Sequence, residues 1–376
     1  MTRNNRLIFS AITALACCNI AFGMTVQLIP LVLDAEGYSK TLIGLNSTAG
    51  QFAVLLTGLA LPRLMRRFGG HRLVLAANVI LIAALASFAL LQPSWAWFVI
   101  RFITGFCISI LFTTSETWIQ AAASDNARGR IMSIYMSVLT LSFGVGPFLI
   151  PFTGFRGAAP WLVGVATLAL GLVVISLMKV EKQVAHDAKS SFLTTAVKAP
   201  LVFICIGATT LFESVMLSFF TLYAISNGMA LNQAATLLGF GIAACLLFFY
   251  PIGQLADKWS RRGMVWICAS VAIVGSLLQI PLINTFTIWP LIVFLRAGAF
   301  GTYLNGFAML GDRFKGPELM SAAALVSILW GVSGMIGPPM AGLAFDRWGL
   351  GLLPWFMAAC FVPVLVVLTL QRQKLN

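Results

Sequence analysis

Four charged side chains lie inside long stretches that contain no other Asp, Glu, Lys or Arg. They are Arg101, Glu116, Glu213 and Arg296. A carboxylate in apolar surroundings can bind and release a proton or hold a cation, and a guanidinium can hold an anion or pair with a carboxylate. The isolation of these four groups predicts that they bind a solute or carry protons.

The stretches around them are typical of a membrane protein. The 376 residues are 60% hydrophobic and only 9% charged, with a mean hydropathy of +0.95. A soluble domain of this composition could not cover its surface with polar groups, and about 20 apolar residues suffice for a membrane-spanning helix. The sequence therefore predicts an all-α membrane protein with twelve spans, at 8–33, 41–62, 72–91, 95–122, 130–153, 158–178, 200–226, 232–256, 264–283, 287–311, 319–345 and 350–371.

The spans decide which of the four charges can meet. Arg101 and Glu116 lie on one helix, 15 positions apart, so they are separated by about 22 Å along its axis and cannot touch. Glu213 and Arg296 fall at similar depths of two different spans, so they can form a pair. Such a pair either takes part in function or only fixes helix packing, and the sequence leaves both interpretations open.

Weaker candidates accompany the four charges. Asn19 and Gln27 are polar residues of the first span, and Tyr303 lies seven positions after Arg296 on the same helical face. A polar residue inside a span often faces a cavity or bonds a neighbouring helix. For Tyr303 the competing interpretation is ordinary aromatic packing.

A charged motif between spans eight and nine has a weaker copy near the start of the chain. The motif comprises Gly253, Asp257, Lys258, Arg261 and Arg262. The copy, 195 positions earlier, comprises Gly58, Arg63, Arg66 and Arg67, with Pro62 where the acid is expected. The same offset relates Arg101 to Arg296. The chain is therefore predicted to contain two homologous halves.

The motif at Gly253–Arg262 resembles the loop signature of the major facilitator superfamily, and the segment starting at Arg101 resembles the helix-four motif of that family. The resemblance implies two pseudo-symmetric six-helix bundles, at 1–178 and 199–376, joined by a cytoplasmic linker at 179–198. It also implies that spans one, four, seven and ten line a central cavity, and these spans contain all four isolated charges. The substrate and proton cavity is thus expected at Glu213, Arg296, Glu116, Arg101, Asn19, Gln27 and Tyr303.

The resemblance further implies a gate at the motif. Asp257 is expected near Arg128 and Arg130, at the start of span five, as a latch that closes one side of the transporter. The first half lacks the acid. Its arginines Arg63, Arg66 and Arg67 are therefore expected near Asp312 or Glu318.

The basic residues predict the orientation of the chain. Of the 24 Lys and Arg residues, 19 lie on the side of the N-terminus, 3 lie on the opposite side, and 2 lie inside spans. This asymmetry follows the positive-inside rule and places both termini in the cytoplasm, with the inner membrane of a bacterium as the expected location. Because the net charge of +13 is distributed among these short loops, no nucleic-acid partner is expected.

The expected function is secondary active transport of a small organic solute by alternating access, coupled to protons, with efflux as one direction. Uptake of an organic anion is the alternative that the two buried arginines favour, and a non-transporting membrane sensor is a weaker one. No nucleophile with a base is visible, so an enzyme is not expected. The seven cysteines lack metal-ligand spacing. We therefore expect a monomer in the lipid bilayer, without metal or cofactor.

Overall fold

The computed structural model describes residues 3–93, 95–123, 127–178, 199–314 and 316–373. These ranges are helical almost throughout and contain no strand. The helices are α1 (Arg3–Ala35), α2 (Lys40–Phe68), α3 (Gly70–Leu90), α4 (Ala96–Ala122), α5 (Arg128–Thr153), α6 (Ala159–Ser176), α7 (Pro200–Ser226), α8a (Leu231–Ala244), α8b (Leu246–Lys258), α9 (Arg261–Leu282), α10 (Ile288–Arg313), α11 (Gly316–Trp348) and α12 (Leu353–Gln373), with one 3₁₀ turn, Leu350–Leu352, before α12.

The helices confirm the predicted all-α membrane fold. Within the described ranges, 12 helical segments are long and apolar enough to cross a membrane, and α8a and α8b together form one of them, Leu231–Lys258. Their bounds lie within a few residues of the predicted spans. The prolines inside α5, α11 and other helices do not end them. The linker predicted at 179–198 lies outside the described residues.

The chain divides into two compact units. Unit 1 is Met1–Tyr38 with Asn46–Asp187, and unit 2 is Ser39–Leu45 with Ala188–Asn376. The first turns of α2 therefore pack as part of unit 2, although the rest of α2 belongs to unit 1. The bundle limits expected from the family resemblance, 1–178 and 199–376, remain predictions.

Unit 1 is held together by close helix contacts at glycines. A Cβ atom on Gly23 of α1 would overlap the carbonyl of Phe143 in α5, and one on Gly146 of α5 would overlap the backbone nitrogen of Met24. Without side chains at these positions the two backbones approach closely, which provides the van der Waals contact that holds membrane helices together. The α1–α5 pair therefore depends on residue size at two points.

Unit 2 is organised around α7, which is more enclosed than any other described span. Hydroxyl groups tie it to its neighbours. Thr209 Oγ1 donates to the carbonyl of Ala299 in α10 at 2.9 Å, and Thr210 Oγ1 lies 2.7 Å from Ser333 Oγ of α11. Because α7 is enclosed, its acidic residue Glu213 is inside the unit.

A carboxylate from the end of α11 caps the start of α2. Asp346 accepts hydrogen bonds from the backbone nitrogens of Lys40 (2.7 Å) and Thr41 (2.9 Å) and from the Thr41 hydroxyl (2.6 Å). The first N–H groups of a helix have no partner within the helix, and the N-terminal end of its dipole attracts negative charge. Asp346 supplies both a partner and the charge, so it holds the first turns of α2 in unit 2.

Replacing Asp346 by alanine is expected to loosen these turns. The cap is solvent-exposed, so its loss costs about 1 kcal/mol and should speed hydrogen exchange of the Lys40 and Thr41 amides roughly fivefold. Ser39→Ala is the matched control, because Ser39 Oγ caps only the Leu42 nitrogen, at 3.2 Å. Unchanged exchange at Lys40 and Thr41 in Asp346→Ala would contradict the capping role.

Candidate functional site

The structure brings Glu213 and Arg296 together in the interior of unit 2. Arg296 Nη2 donates to Glu213 Oε1 at 2.6 Å, and the residues Arg296 and Glu213 are 1% and 4% exposed. Glu213 is presented by α7 and Arg296 by α10. A buried pair of this kind loses the hydration of both charges, so it persists only where the geometry is good and other groups satisfy the remaining atoms.

The remaining atoms of the pair are only partly satisfied. Arg296 Nη1 lies 3.2 Å from Met216 Sδ, and the guanidinium lies 5.6 Å from the centre of the Phe300 ring. Its neighbours also include the thiol of Cys245. Glu213 Oε2 and Arg296 Nε have no hydrogen-bond partner among the described residues. The site therefore retains one acceptor and one donor that a proton, a solute or water can satisfy.

A break in the eighth span positions Cys245 at this site. α8a ends at Ala244 and α8b begins at Leu246, and the Phe248 nitrogen bonds the Cys245 carbonyl three residues back instead of four. Pro251 adds to the irregularity because it cannot donate to the carbonyl of Leu247. The sequence assigns no role to Cys245, since the cysteines lack metal-ligand spacing. Pro251 was the available signal that the span is irregular.

A row of aromatic side chains extends along α10 from the ion pair. Tyr303 stacks on Phe307 with ring centres 6.0 Å apart, and the Trp330 indole nitrogen of α11 lies 3.5 Å from the Tyr303 hydroxyl. The ring of Phe300, which contacts Arg296, lies 6.5 Å from that of Tyr303. Tyr303 is thus joined to the charged pair through one intervening ring. Ordinary aromatic packing, the competing interpretation for Tyr303, accounts for these ring contacts.

In unit 1, Arg101 is buried against α2. Its Nε atom and Cγ lie close to where a Cβ on Gly50 would be, and Gly105, one turn further along α4, packs on the Gly50 backbone. Arg101 is 8% exposed, and Nε has no partner among the described residues. Within the same ranges, no carboxylate lies at ion-pair distance from its guanidinium. Arg101 is therefore a buried cation without a described counter-ion.

The other candidates of unit 1 differ in their surroundings. Glu116 is half-buried and accepts a 3.3 Å hydrogen bond from Gln120, one turn along α4. Asn19 donates to the Leu139 carbonyl of α5 at 2.5 Å, so it ties two helices together. Gln27 is buried, and neither polar atom of its side chain has a partner in the described part of the chain. Gln27 is therefore the better placed of the two α1 residues to bind a solute.

Comparisons with known proteins agree with this architecture. The family model described as Major Facilitator Superfamily matches residues 11–304 and 202–375. The chain belongs to the major facilitator superfamily. It is a multi-pass membrane transporter and not an enzyme. Members of this family bind small-molecule substrates.

Relatives within the superfamily match nearly the whole chain. The MFS-type transporter YfkF of Bacillus subtilis is 24% identical over 360 residues, covering 94% of this chain and 92% of the relative. The MFS-type transporter YcaD of Escherichia coli is 24% identical over 381 residues, covering 99% and 97%.

Solved structures of the superfamily show the same fold. The nucleoside transporter NupG (D323A mutant) aligns with a TM-score of 0.79 at 13% identity, covering 98% of this chain and 99% of that one. A bacterial homologue of the human lysosomal transporter Spinster, in an inward-facing unoccupied conformation, aligns with a TM-score of 0.77 at 14% identity, covering 98% and 96%. At these identities the likeness establishes the fold alone.

The superfamily motif of unit 2 forms an ion-pair bridge at the helix ends. Arg261, at the start of α9, bonds Asp257 at the end of α8b (3.2 Å) and also Asp312 at the end of α10. An acid at a helix C-terminus and a base at a helix N-terminus are each disfavoured by the helix dipoles, so pairing them relieves both. The bridge joins the ends of three helices at the surface of unit 2.

The remaining motif residues are accessible. Gly58 and Gly253 have open space where a Cβ would lie. The basic residues Arg63, Arg66, Arg67, Lys258, Arg262 and Arg130 are exposed. The Arg128 side chain lies outside the described part of the chain. The Asp312 carboxylate bonds Arg261. The predicted contact of the first-half arginines with Asp312 or Glu318 stays a prediction. The predicted latch contact of Asp257 with Arg128 and Arg130 stays a prediction.

Proposed function

We propose that this transporter couples the movement of a small organic solute to protons, with Glu213 as the coupling acid and Arg296 as its partner. The buried 2.6 Å contact between them carries the proposal. An ionised pair inside a membrane-spanning bundle costs free energy, so it is retained mainly where it serves a function. The unsatisfied Oε2 of Glu213 is the atom that would accept the proton.

The chemistry of the pair suggests how coupling would work. An arginine does not lose its proton in proteins, whereas a carboxylate does gain one. Protonation of Glu213 would end its ionic attraction to Arg296, and the pair would separate more easily. Deprotonated Glu213 could instead hold a cationic solute. Exchange of a proton for such a solute at one acid corresponds to efflux by antiport.

The orientation and location belong to the same proposal. The 19 basic residues on one side against 3 on the other support cytoplasmic termini. Proton-driven efflux from a bacterial cell would then use the inward proton gradient across the inner membrane. We propose that the monomer is the transporting unit, because each chain contains both six-helix halves.

Glu213→Gln is expected to abolish proton-driven transport while leaving the protein folded, because glutamine keeps the shape and can still accept from Arg296. Solutes that raise the unfolding temperature of the purified protein would be tested for flux in proteoliposomes with an imposed pH gradient. Glu116→Gln is the comparison variant: Glu116 was predicted in the same cavity, but it is half-buried and bonds Gln120 on its own helix, so the proposal that Glu213 is the coupling acid expects this variant to keep pH-dependent flux. Unchanged pH-dependent flux in Glu213→Gln would overturn the proposed coupling.

Arg101 supports a second candidate, the uptake of an organic anion. It is buried without a described counter-ion, and an anionic solute would provide one. The same flux assay separates the two candidates. Uptake would accumulate an anion and depend on Arg101, whereas efflux would export a cation or amphiphile and depend on Glu213 and not on Arg101.

A further inference from the structure

A cavity of about 330 Å³ lies at one end of unit 2, away from the ion pair. It is an open cavity lined by the start of α7, the start of α9 and the end of α10. Its lining residues are Ala199, Pro200, Leu201, Val202, Ser260, Arg261, Arg262, Met309, Asp312 and Arg313. The lining is thus divided into a charged part and an apolar part.

The charged part is basic. Among the described residues, Arg261, Arg262 and Arg313 line the cavity together with one acid, Asp312. Arg261 is held by Asp257 and Asp312 in the bridge described above. Arg262 and Arg313 form no ion pair with any residue of the described ranges. Two cations at one cavity repel each other, and a bound anion removes that repulsion. Asp312 opposes an anion, and Arg261, which is shared between Asp312 and Asp257, offsets only part of that opposition. Arg262 and Arg313 are therefore the cations available to a bound anion.

The apolar part indicates an amphiphilic ligand. Met309 lies one turn before Arg313 on α10, toward the apolar span, and Leu201 and Val202 lie in the first turn of α7. A phospholipid has its phosphate and its acyl chains in this same order. Basic pockets between membrane helices on the cytoplasmic side are a recognised binding place for anionic headgroups. In the proposed orientation, this end of unit 2 faces the cytoplasmic leaflet.

We infer that this cavity binds a phosphate-bearing anion through Arg262 and Arg313. The phosphate belongs to the headgroup of an anionic phospholipid whose acyl chains contact the apolar part of the lining. The Arg261 bridge positions the two helix ends that carry these arginines. The site is separate from the Glu213–Arg296 pair, so its occupancy does not depend on the proposed coupling mechanism.

The full chain in neutral detergent tests this inference through its unfolding temperature. Phosphatidylglycerol is titrated against phosphatidylcholine with the same acyl chains and against glycerol 3-phosphate. A saturable rise with phosphatidylglycerol and none with phosphatidylcholine is expected. If glycerol 3-phosphate saturates at the same concentration, the phosphate site stands and the lipid assignment is overturned in favour of a soluble phosphate. Equal effects of both lipids would overturn the site.

Two double variants decide whether the cavity is responsible. Each cation near an anionic headgroup contributes roughly fivefold to binding, so Arg262→Gln/Arg313→Gln should weaken the apparent affinity for phosphatidylglycerol about thirtyfold. The control Arg67→Gln/Arg72→Gln removes the last arginine of the first-half motif and the exposed arginine five positions after it, and it should change the affinity less than about twofold. All four side chains are exposed, so folding is retained. Equal weakening in both variants would show general surface attraction and overturn the inference.

Discussion

Replacing Glu213 by methionine is expected to destabilise unit 2 by about 3–5 kcal/mol, because Arg296 then remains buried as an uncompensated charge. For a unit of this size, that loss lowers the unfolding temperature by an amount on the order of 10 °C. Arg296→Met should cost less, since the remaining carboxylate can become neutral by taking up a proton and an arginine cannot lose one. The order of the two single variants is therefore part of the prediction.

The double variant Glu213→Met/Arg296→Met is expected to recover most of the stability. Replacing a buried ion pair by apolar side chains of similar volume is often neutral or stabilising, because both desolvation costs disappear together. The site favours this outcome, since Met216 and the Phe300 ring already contact Arg296. Unfolding temperatures of the four proteins, measured in one detergent, give the coupling free energy as a double-mutant cycle.

Transport by the double variant separates the two interpretations that the sequence left open. If the pair only fixes packing, the double variant should be stable and should transport. If the pair serves coupling, it should be stable and inactive in proton-driven flux. A double variant as unstable as Glu213→Met would contradict the energetic argument, because the buried charge would then not be the cause of the instability.

Much of the fold could be predicted because membrane spans are recognised by composition and length alone. The run from Gly263 to Leu295 has no charged residue, and it becomes most of α9, the following turn and the start of α10. The depth of Glu213 and Arg296 also followed from the spans, since a helix advances about 1.5 Å per residue. The sequence therefore showed that Glu213 and Arg296 could form a pair, although their 2.6 Å contact depends on how α7 and α10 pack.

The contacts that the sequence did not predict are those between residues far apart in the chain. Asp346 caps a helix that begins 306 positions earlier, and no local pattern identifies its partner. Arg261 bonds Asp312 because α9 and α10 lie side by side, and this contact between residues 51 positions apart was not among the predicted ones. The break between α8a and α8b at Cys245 is a local feature. Pro251 alone did not predict it, because a proline within a membrane span often occurs without a helix break. Tertiary packing decided the two long-range contacts.

Gly146→Ala in α5 is expected to destabilise unit 1 even though alanine is the better helix former. Alanine in place of glycine inside a helix normally stabilises by roughly 0.5–1 kcal/mol. At Gly146 the added Cβ would overlap the backbone nitrogen of Met24 in α1. A backbone atom of a packed helix cannot rotate away, so α1 and α5 must separate and lose contact along their length. Overpacking of this kind costs about 1–3 kcal/mol, which exceeds the gain in helix propensity.

Gly253→Ala in α8b is the matched control, and its effect on stability should have the opposite sign to that of Gly146→Ala. Gly253 is exposed within a helix, and a Cβ added there would have no described atom of another residue within 4 Å beyond its own stretch of helix. Only the propensity gain remains there, so the unfolding temperature should stay constant or rise slightly. Gly23→Ala should lower the unfolding temperature as Gly146→Ala does, because its Cβ would overlap the Phe143 carbonyl on the other side of the same contact. If Gly146→Ala and Gly253→Ala changed the unfolding temperature alike, close backbone approach between α1 and α5 would not be what the glycines provide.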